Sequence, residues 1–426
     1  MYLKNHSVYD VLSTLGFCSL AGGLVVSKFA VTLGVILLVL SIPFRLSVSR
    51  LDWSPLMRMK GLLAVYLILF LTGLFSSDLD QALNELWIQN GLITIPVLLT
   101  IHWEQLKRRA VQIFYFMLLI SLIASLVTVM FFILPVEQAN EIVNDWSIFQ
   151  EYPDVISKTQ FGLYSPFIDR LQFAYVLAFV ILTAVYMGFK RESYTYWILA
   201  AFLGLLILIL GARGAQIALI IAAFPLSLYF LKWWMPEIKM VSLQTVYVVL
   251  VSFVICIFYA YQFVGPVKSR YNQMKWELEV INDGTFKDHE YWHFTTLTRI
   301  KSYEHSWTII KSNPLTGIGV GDVNEQLLKE YSQSDLKVPV HIQNYYLYLW
   351  MCGGLFAALG FLYFQFDWLR SLASENTALL PRSYATAFSL FIFVILIFDA
   401  VMKYHMGAFG IPFYYMLLTA ITSQKE

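Results

Sequence analysis

Two arginines, a histidine and an asparagine stand out because each is a costly or reactive group set beside apolar sequence. Arg213 lies between two apolar runs in ILGARGAQIALI, with Gly211 and Gly214 close by. A guanidinium in that place has two readings. It snorkels to water from a helix end, or it clamps an anion, because guanidinium binds phosphate bidentately and small neighbours let a bulky headgroup approach the backbone. Arg299 opens the polar stretch RIKSYEHSWTIIKSNPLTGIGVG, where it is either an exposed charge bridged to Glu304 or a second anion ligand. His341 begins HIQNYYLYLW, at the edge of a long apolar run. Imidazole titrates near neutrality and suits proton transfer, although a histidine there can equally cap a helix start. Asn344, three residues on, would share its helical face and orient a substrate hydroxyl. Tyr303 shares a face with Arg299 and joins Asn344 and the two arginines as a substrate-binding candidate.

Two other motifs carry less. NPLTGIGVG looks like a nucleotide loop but lacks the Walker lysine and hydroxyl and follows no strand, so it reads as a structural turn. His289-Glu290-Tyr291-Trp292-His293 fits HExxH, yet it follows NDGTFKD, a poor setting for the one-faced helix that zinc requires. Thr296 also stands where the extended zinc pattern has glycine. No metal site and no cofactor are assigned. Cys18, Cys256 and Cys352 are scattered in apolar runs and form no disulfide framework.

The elements that must position these groups are membrane helices. The 426 residues are 58% hydrophobic and 13% charged, with mean hydropathy +0.64, which describes an all-α, polytopic integral membrane protein. A net charge of +1 gives no bulk attraction for nucleic acid. Apolar windows long enough to cross a bilayer predict about twelve transmembrane helices. Their cores fall at 11–26, 28–44, 60–76, 84–101, 109–134, 170–188, 196–211, 213–231, 241–263, 342–366, 383–402 and 407–422. The division within 11–44 and that within 196–231 are the least distinct.

Orientation follows from lysine and arginine. Arg45, Arg50, Arg58 and Lys60, then Lys107 to Arg109, Lys190 and Arg191, Lys232 and Lys239, and Arg370 and Arg382 fall in one set of loops. The alternate loops carry Asp78, Asp80 and Glu85, then Glu137 to Asp154. The first set and both termini are therefore expected in the cytoplasm, and 135–169 and 264–341 outside. Three regions result: helices 1–9 in 1–263, a loop domain in 264–341, and helices 10–12 in 342–426. Within the loop, 264–296 shows no clear pattern. A helix is expected from Leu297, with Arg299, Ser302, Tyr303 and Ser306 on one face, stopped by Asn313-Pro314. Gly317, Gly319 and Gly321 allow a reversal before a short helix over 323–331. The loop thus contains short amphipathic helices.

GARGA, the large outer loop, WTIIKSNPLTGIGVG and HIQNYYL before an apolar run together resemble the O-antigen ligase and polymerase superfamily. The resemblance in span count and loop placement covers nearly the whole chain, and its specific motifs fall in about 200–360. It implies a multi-pass protein of the bacterial inner membrane with a large periplasmic loop and a periplasmic active site, acting in lipopolysaccharide biosynthesis. It also implies a glycan donor linked to undecaprenyl diphosphate, and transfer to a sugar hydroxyl of lipid A–core without nucleotide or metal. Arg213 and Arg299 match the family's two essential arginines, and His341 its essential histidine. Polymerases instead join lipid-linked repeats, and often carry an arginine, ten residues and then a glycine; here Phe224 and Ile310 occupy the glycine positions, which favours a ligase. A lipid-linked glycan transporter is a more distant reading, opposed by the long outer segment and by the scarcity of charge within the spans.

Overall fold

The computed structural model describes residues 2–46, 51–133, 167–234, 265–284, 295–332, 342–375 and 378–423. Its described elements are helical. Helices α1 (Tyr2–Val26) and α2 (Lys28–Leu46) form a hairpin joined at Ser27. The short α3 (Ser54–Arg58) leads into α4 (Lys60–Gly73), followed by α5 (Leu79–Ile88), α6 (Gly91–Ile101) and α7 (Trp103–Ile133). Next come α8 (Arg170–Arg191), α9 (Tyr194–Leu210) and α10 (Arg213–Trp234). Three polar helices follow: α11 (Gly265–Asn282), α12 (Thr295–Ser312) and α13 (Val323–Ser332). The chain closes with α14 (Tyr345–Glu375), α15 (Leu379–Phe398), a 3-10 turn at Val401–Lys403, and α16 (His405–Thr422).

Helix α16 is the centre. From Met406 to Thr422 every residue is buried, packed by α6, α7 and α8. Helix α8 is similarly enclosed, whereas α2 and α10 bury little of their length. Large apolar side chains face outward around the bundle, among them Phe29 (76% exposed), Ile198 (68%) and Phe366 (65%). Water would penalise such a surface at about 25 cal/mol per Å², and lipid tails do not. The chain is a helical membrane protein.

The expected count of twelve spans is not reproduced. Among the described residues, seven helices are long and apolar enough to cross a bilayer, and α4 and α9 are shorter apolar helices. The predicted span 84–101 is broken into α5 and α6 at Gln89-Asn90. Gln89 is fully buried and spends its amide on Tyr348 Oη at 2.7 Å, while Gly91 comes against the Ala408 carbonyl on α16. The predicted span 383–402 stops at Phe398, and 241–263 lies outside the described residues. The two indistinct divisions are both real helix ends, at Ser27 and at Gly211-Ala212. The segment without a clear pattern, 264–296, contains α11.

Helix α14 is interrupted at Gly353 (φ −122°, ψ 16°) and Gly354 (φ 65°, ψ −166°). A break in an apolar helix releases carbonyls that lipid cannot satisfy, each at a cost of several kcal/mol. The NPLTGIGVG turn supplies the donors. Ile318 N–H reaches Met351 O at 2.8 Å and Gly319 N–H reaches Cys352 O at 3.1 Å. In return, Pro314 O accepts Leu355 N–H at 3.0 Å and Trp350 Nε1–H at 2.8 Å. A Cβ at Gly354 would collide with the Leu315 carbonyl, so only glycine permits this approach. The motif is a structural turn, docked into a membrane helix.

Candidate functional site

The site is assembled at the N-termini of α8 and α10, the C-terminus of α15 and the polar helices α11 and α12. Helix α9 ends at Leu210 because Gly211 adopts a left-handed conformation (φ 65°). The buried Ala212 completes the reversal, and Gln216 Nε2 reaches back to Ile207 O at 3.2 Å. Arg213 is thereby the first residue of α10, half-buried. Its charged neighbours are Arg299 on α12, Glu277 on α11 and Arg170 at the start of α8. The two arginines, separated in sequence by α10 and the first part of the polar segment, are neighbours in space.

Helix α12 holds Arg299. Glu277, fully buried, accepts a hydrogen bond from Thr296 N–H and caps its first turn. Leu297, Ser302, Ser306, Ile309 and Ile310 are buried, while Ile300, Glu304, Trp307 and Lys311 face outward. The helix stops at Asn313, as the following proline dictates. Tyr303 Oη–H donates to Ile397 O at 2.9 Å, pinning α12 to the end of α15. Burial pushes this phenol above its ordinary range. The alternative partner for Arg299 is otherwise engaged, since Glu304 Oε2 pairs with Lys301 Nζ at 2.6 Å.

Arg299 instead faces Asp399, Tyr175 and Tyr303. Asp399 is one residue past the α15 span, in extended conformation. It accepts Tyr175 Oη–H at 2.8 Å. Burial pushes its carboxyl up to about 6, against the pull of the Tyr175 hydrogen bond and the Arg299 charge. Tyr175 also borders an apolar cavity lined by Leu24, Val176, Ile395, Met406, Gly410 and Tyr414. A charged cluster and an apolar cavity thus meet at Tyr175.

The sequence candidates fare differently. Arg213 and Arg299 are brought together. Tyr303 stands beside Arg299, with its hydroxyl proton committed to a backbone carbonyl. Asn344 is half-buried and caps α14, accepting Leu347 N–H on Oδ1 at 3.0 Å. His341 lies outside the described residues, as does the HEYWH stretch. Sequence reasoning misses Arg170, Tyr175, Glu277 and Asp399. Of these, Arg170, a charge opening an apolar run beside Asp169, and Asp399, a carboxylate inside the predicted span 383–402, carry a signal of the kind that singles out Arg213.

Three arginines converge with two inward-facing carboxylates, between membrane helices and beside an apolar cavity. This is a helical membrane protein with a charged, anion-compatible site at one end of its bundle. Residues 197–362 match the family model described as O-antigen ligase, and this match supports the O-antigen ligase superfamily for the chain. Comparison with curated proteins gives no match. The family brings with it a glycosyltransferase-like ligase chemistry, with a lipid-linked glycan and a glycan acceptor as substrates. The matched stretch contains Arg213, Glu277, Arg299 and Asn344, while Arg170, Tyr175 and Asp399 come from outside it.

Proposed function

We propose that this protein transfers a glycan from undecaprenyl diphosphate to a sugar hydroxyl of lipid A–core at the periplasmic face of the bacterial inner membrane, without metal and with inversion. The observation that carries this reading is the meeting of Arg213 and Arg299, from distant parts of the chain, beside an apolar cavity. A lipid diphosphate has the same two-part character. Arg213 and Arg299 hold the diphosphate, and the cavity bordered by Tyr175 takes the start of the prenyl tail.

The acceptor oxygen attacks the sugar C1 as the C1–O bond to phosphate breaks, so charge grows on the leaving diphosphate. Fixed guanidinium donors stabilise that charge, typically by about 3–4 kcal/mol each. The acceptor binds near Asn344, and His341, three residues earlier, takes its proton. Asn344 Nδ2 meets the acceptor while Oδ1 caps α14. The lysine and arginine distribution supports a periplasmic 264–341 with both termini in the cytoplasm. Sugar nucleotides are absent from that side, and a lipid-linked donor is the natural one.

Purified protein offered the lipid-linked donor with either lipid A–core or a second lipid-linked repeat, with and without EDTA, tests this. Transfer to lipid A–core that EDTA leaves intact is expected. Preference for the second repeat would make the protein a polymerase, and abolition by EDTA would overturn the metal-free chemistry. Arg213→Ala, Arg299→Ala and His341→Ala should each lose about 10²–10³-fold in kcat while still inserting in the membrane. Full activity in any one removes that residue from the mechanism.

A further inference from the structure

A second buried charged cluster lies on the far side of the Asp399 turn. Lys403 Nζ–H donates to Asn324 Oδ1 at 2.9 Å, stands 4.0 Å from Glu85 Oε1, and lies 5.4 Å from the centre of the Tyr348 ring. Glu85, only 5% exposed, accepts Asn324 Nδ2–H at 3.1 Å and Gln81 Nε2–H at 3.3 Å on Oε1. Its Oε2 accepts Tyr348 Oη–H at 3.4 Å. The cluster joins α5, α13, α14 and the 3-10 turn.

Burying a lysine and a glutamate is costly, and a hydrophobic pair of the same size is often as stable or more so. Such a pair is therefore weak as a source of stability and better suited to fixing a geometry. What it fixes is visible in the backbone. Asp399 opens the bridge between α15 and α16, and Lys403 lies one residue short of its other end. Asp399 N–H donates to Ile395 O at 2.8 Å and Lys403 N–H to Ala400 O at 2.8 Å. Ala400 and Met402 between them are fully buried. With both ends hydrogen-bonded and the middle packed, displacement at Lys403 passes to Asp399.

We infer that Lys403, held by Glu85 and Asn324, is a positioning residue that sets Asp399 against Arg299, and that Asn324 makes this setting depend on the docking of α13. Among the described residues the cluster makes no hydrogen bond or ion pair to the arginine site, and it acts through the bridge. The inference rests on the proposed function for the part Arg299, and through it Asp399, plays in transfer, and on the bridge geometry alone for the rest.

The test uses full-length protein in nanodiscs and two readouts. The carboxyl C=O infrared band of Asp399, assigned by its loss in Asp399→Asn, is titrated from about pH 4 to about pH 8, the interval around the ordinary carboxylate and histidine ranges. Asp169, Tyr175, Arg299 and Tyr303 are the groups facing that carboxyl, and all stay unchanged. Asn324→Ala alters no charge and Lys403→Arg preserves one, so a band shift in the first and restoration in the second report geometry. Expected are a shifted midpoint in Asn324→Ala and Lys403→Met, near wild-type behaviour in Lys403→Arg, and a fall in kcat of about threefold or more with little change in KM. The fall should vanish in an Asp399→Asn background. An unmoved midpoint in both Asn324→Ala and Lys403→Met overturns the inference. If Asp399→Asn transfers at full rate while the midpoint still moves, the transfer role of Asp399 fails and the positioning stands.

Discussion

Asp399 concentrates the electrostatic tension of the site in one side chain. Its folded pKa of about 6 lies above the ordinary 3.8, because burial disfavours the charged form. The linkage sign follows. Between those two values the folded state binds the extra proton, so this group's contribution to stability falls as pH rises through the window and stays unfavourable at neutrality. Asp399→Asn removes that cost yet can still accept the Tyr175 hydrogen bond. Its melting temperature at pH 7 should equal or exceed wild type, while transfer falls. Wild-type transfer should decline below about pH 6, where Asp399 protonates and Arg299 loses its counter-charge; the variant should lose that contribution and keep only the acid limb of the proposed base His341. A pH series of melts and rates on both proteins checks this. The arginines were legible in the sequence because a guanidinium among apolar residues demands an explanation. Asp399 offered the same kind of signal, a carboxylate inside the predicted span 383–402, but nothing local marks Phe398 as the last helical residue or points to Tyr175 and Arg299 as its partners.

Helix α12 is an element whose position is dictated by neighbours at every point. Glu277 caps its start, Tyr303 ties its middle to α15, and the turn after Ser312 enters the break in α14. Asp322 adds a further tie, accepting Ser77 N–H at 2.9 Å and Ser77 Oγ–H at 2.7 Å. Glu277→Ala should lower stability by about 1–2 kcal/mol through the lost cap and lower transfer as well, since Arg299 lies in the first turns. Thermal unfolding and donor turnover measured on the same preparation would show both. The stop at Asn313-Pro314 and the helix after the glycines could be read from proline and glycine chemistry. Helix α11 could not, because its exposed positions mix polar residues with Tyr271 and Leu278, and its one decisive residue, Glu277, resembles any surface glutamate. The Gly353-Gly354 break was equally silent, as paired glycines in an apolar run also suit close helix packing.

For the molecule as a whole, composition was enough for the class, and a handful of spaced residues for the superfamily. The span count was harder. Counting apolar windows assumes straight helices, whereas this bundle interrupts 84–101, 342–366 and 383–402 and puts polar contacts at each interruption. Gln89 binds Tyr348, the α14 break receives the glycine turn, and Asp399 meets Tyr175 and Arg299. Polar backbone inside a membrane protein is tolerated where protein surrounds it. Those interruptions build a fixed site, and no path from one side to the other is needed for transfer. Turnover of the lipid-linked donor should therefore persist in detergent, with no second compartment; activity confined to sealed vesicles would point to transport instead.

The turn lodged in the α14 break also constrains how the protein is made and how it can change. The donor segment, residues 314–319, is synthesised before the helix it completes. The break is satisfied only when this segment has folded back onto α14, so the two mature together. For the same reason the loop and the span are one heritable unit. Grafting the polar segment of a relative onto this bundle would leave both sides of the break without their counterpart, whereas a graft carrying 313–355 intact keeps the joint.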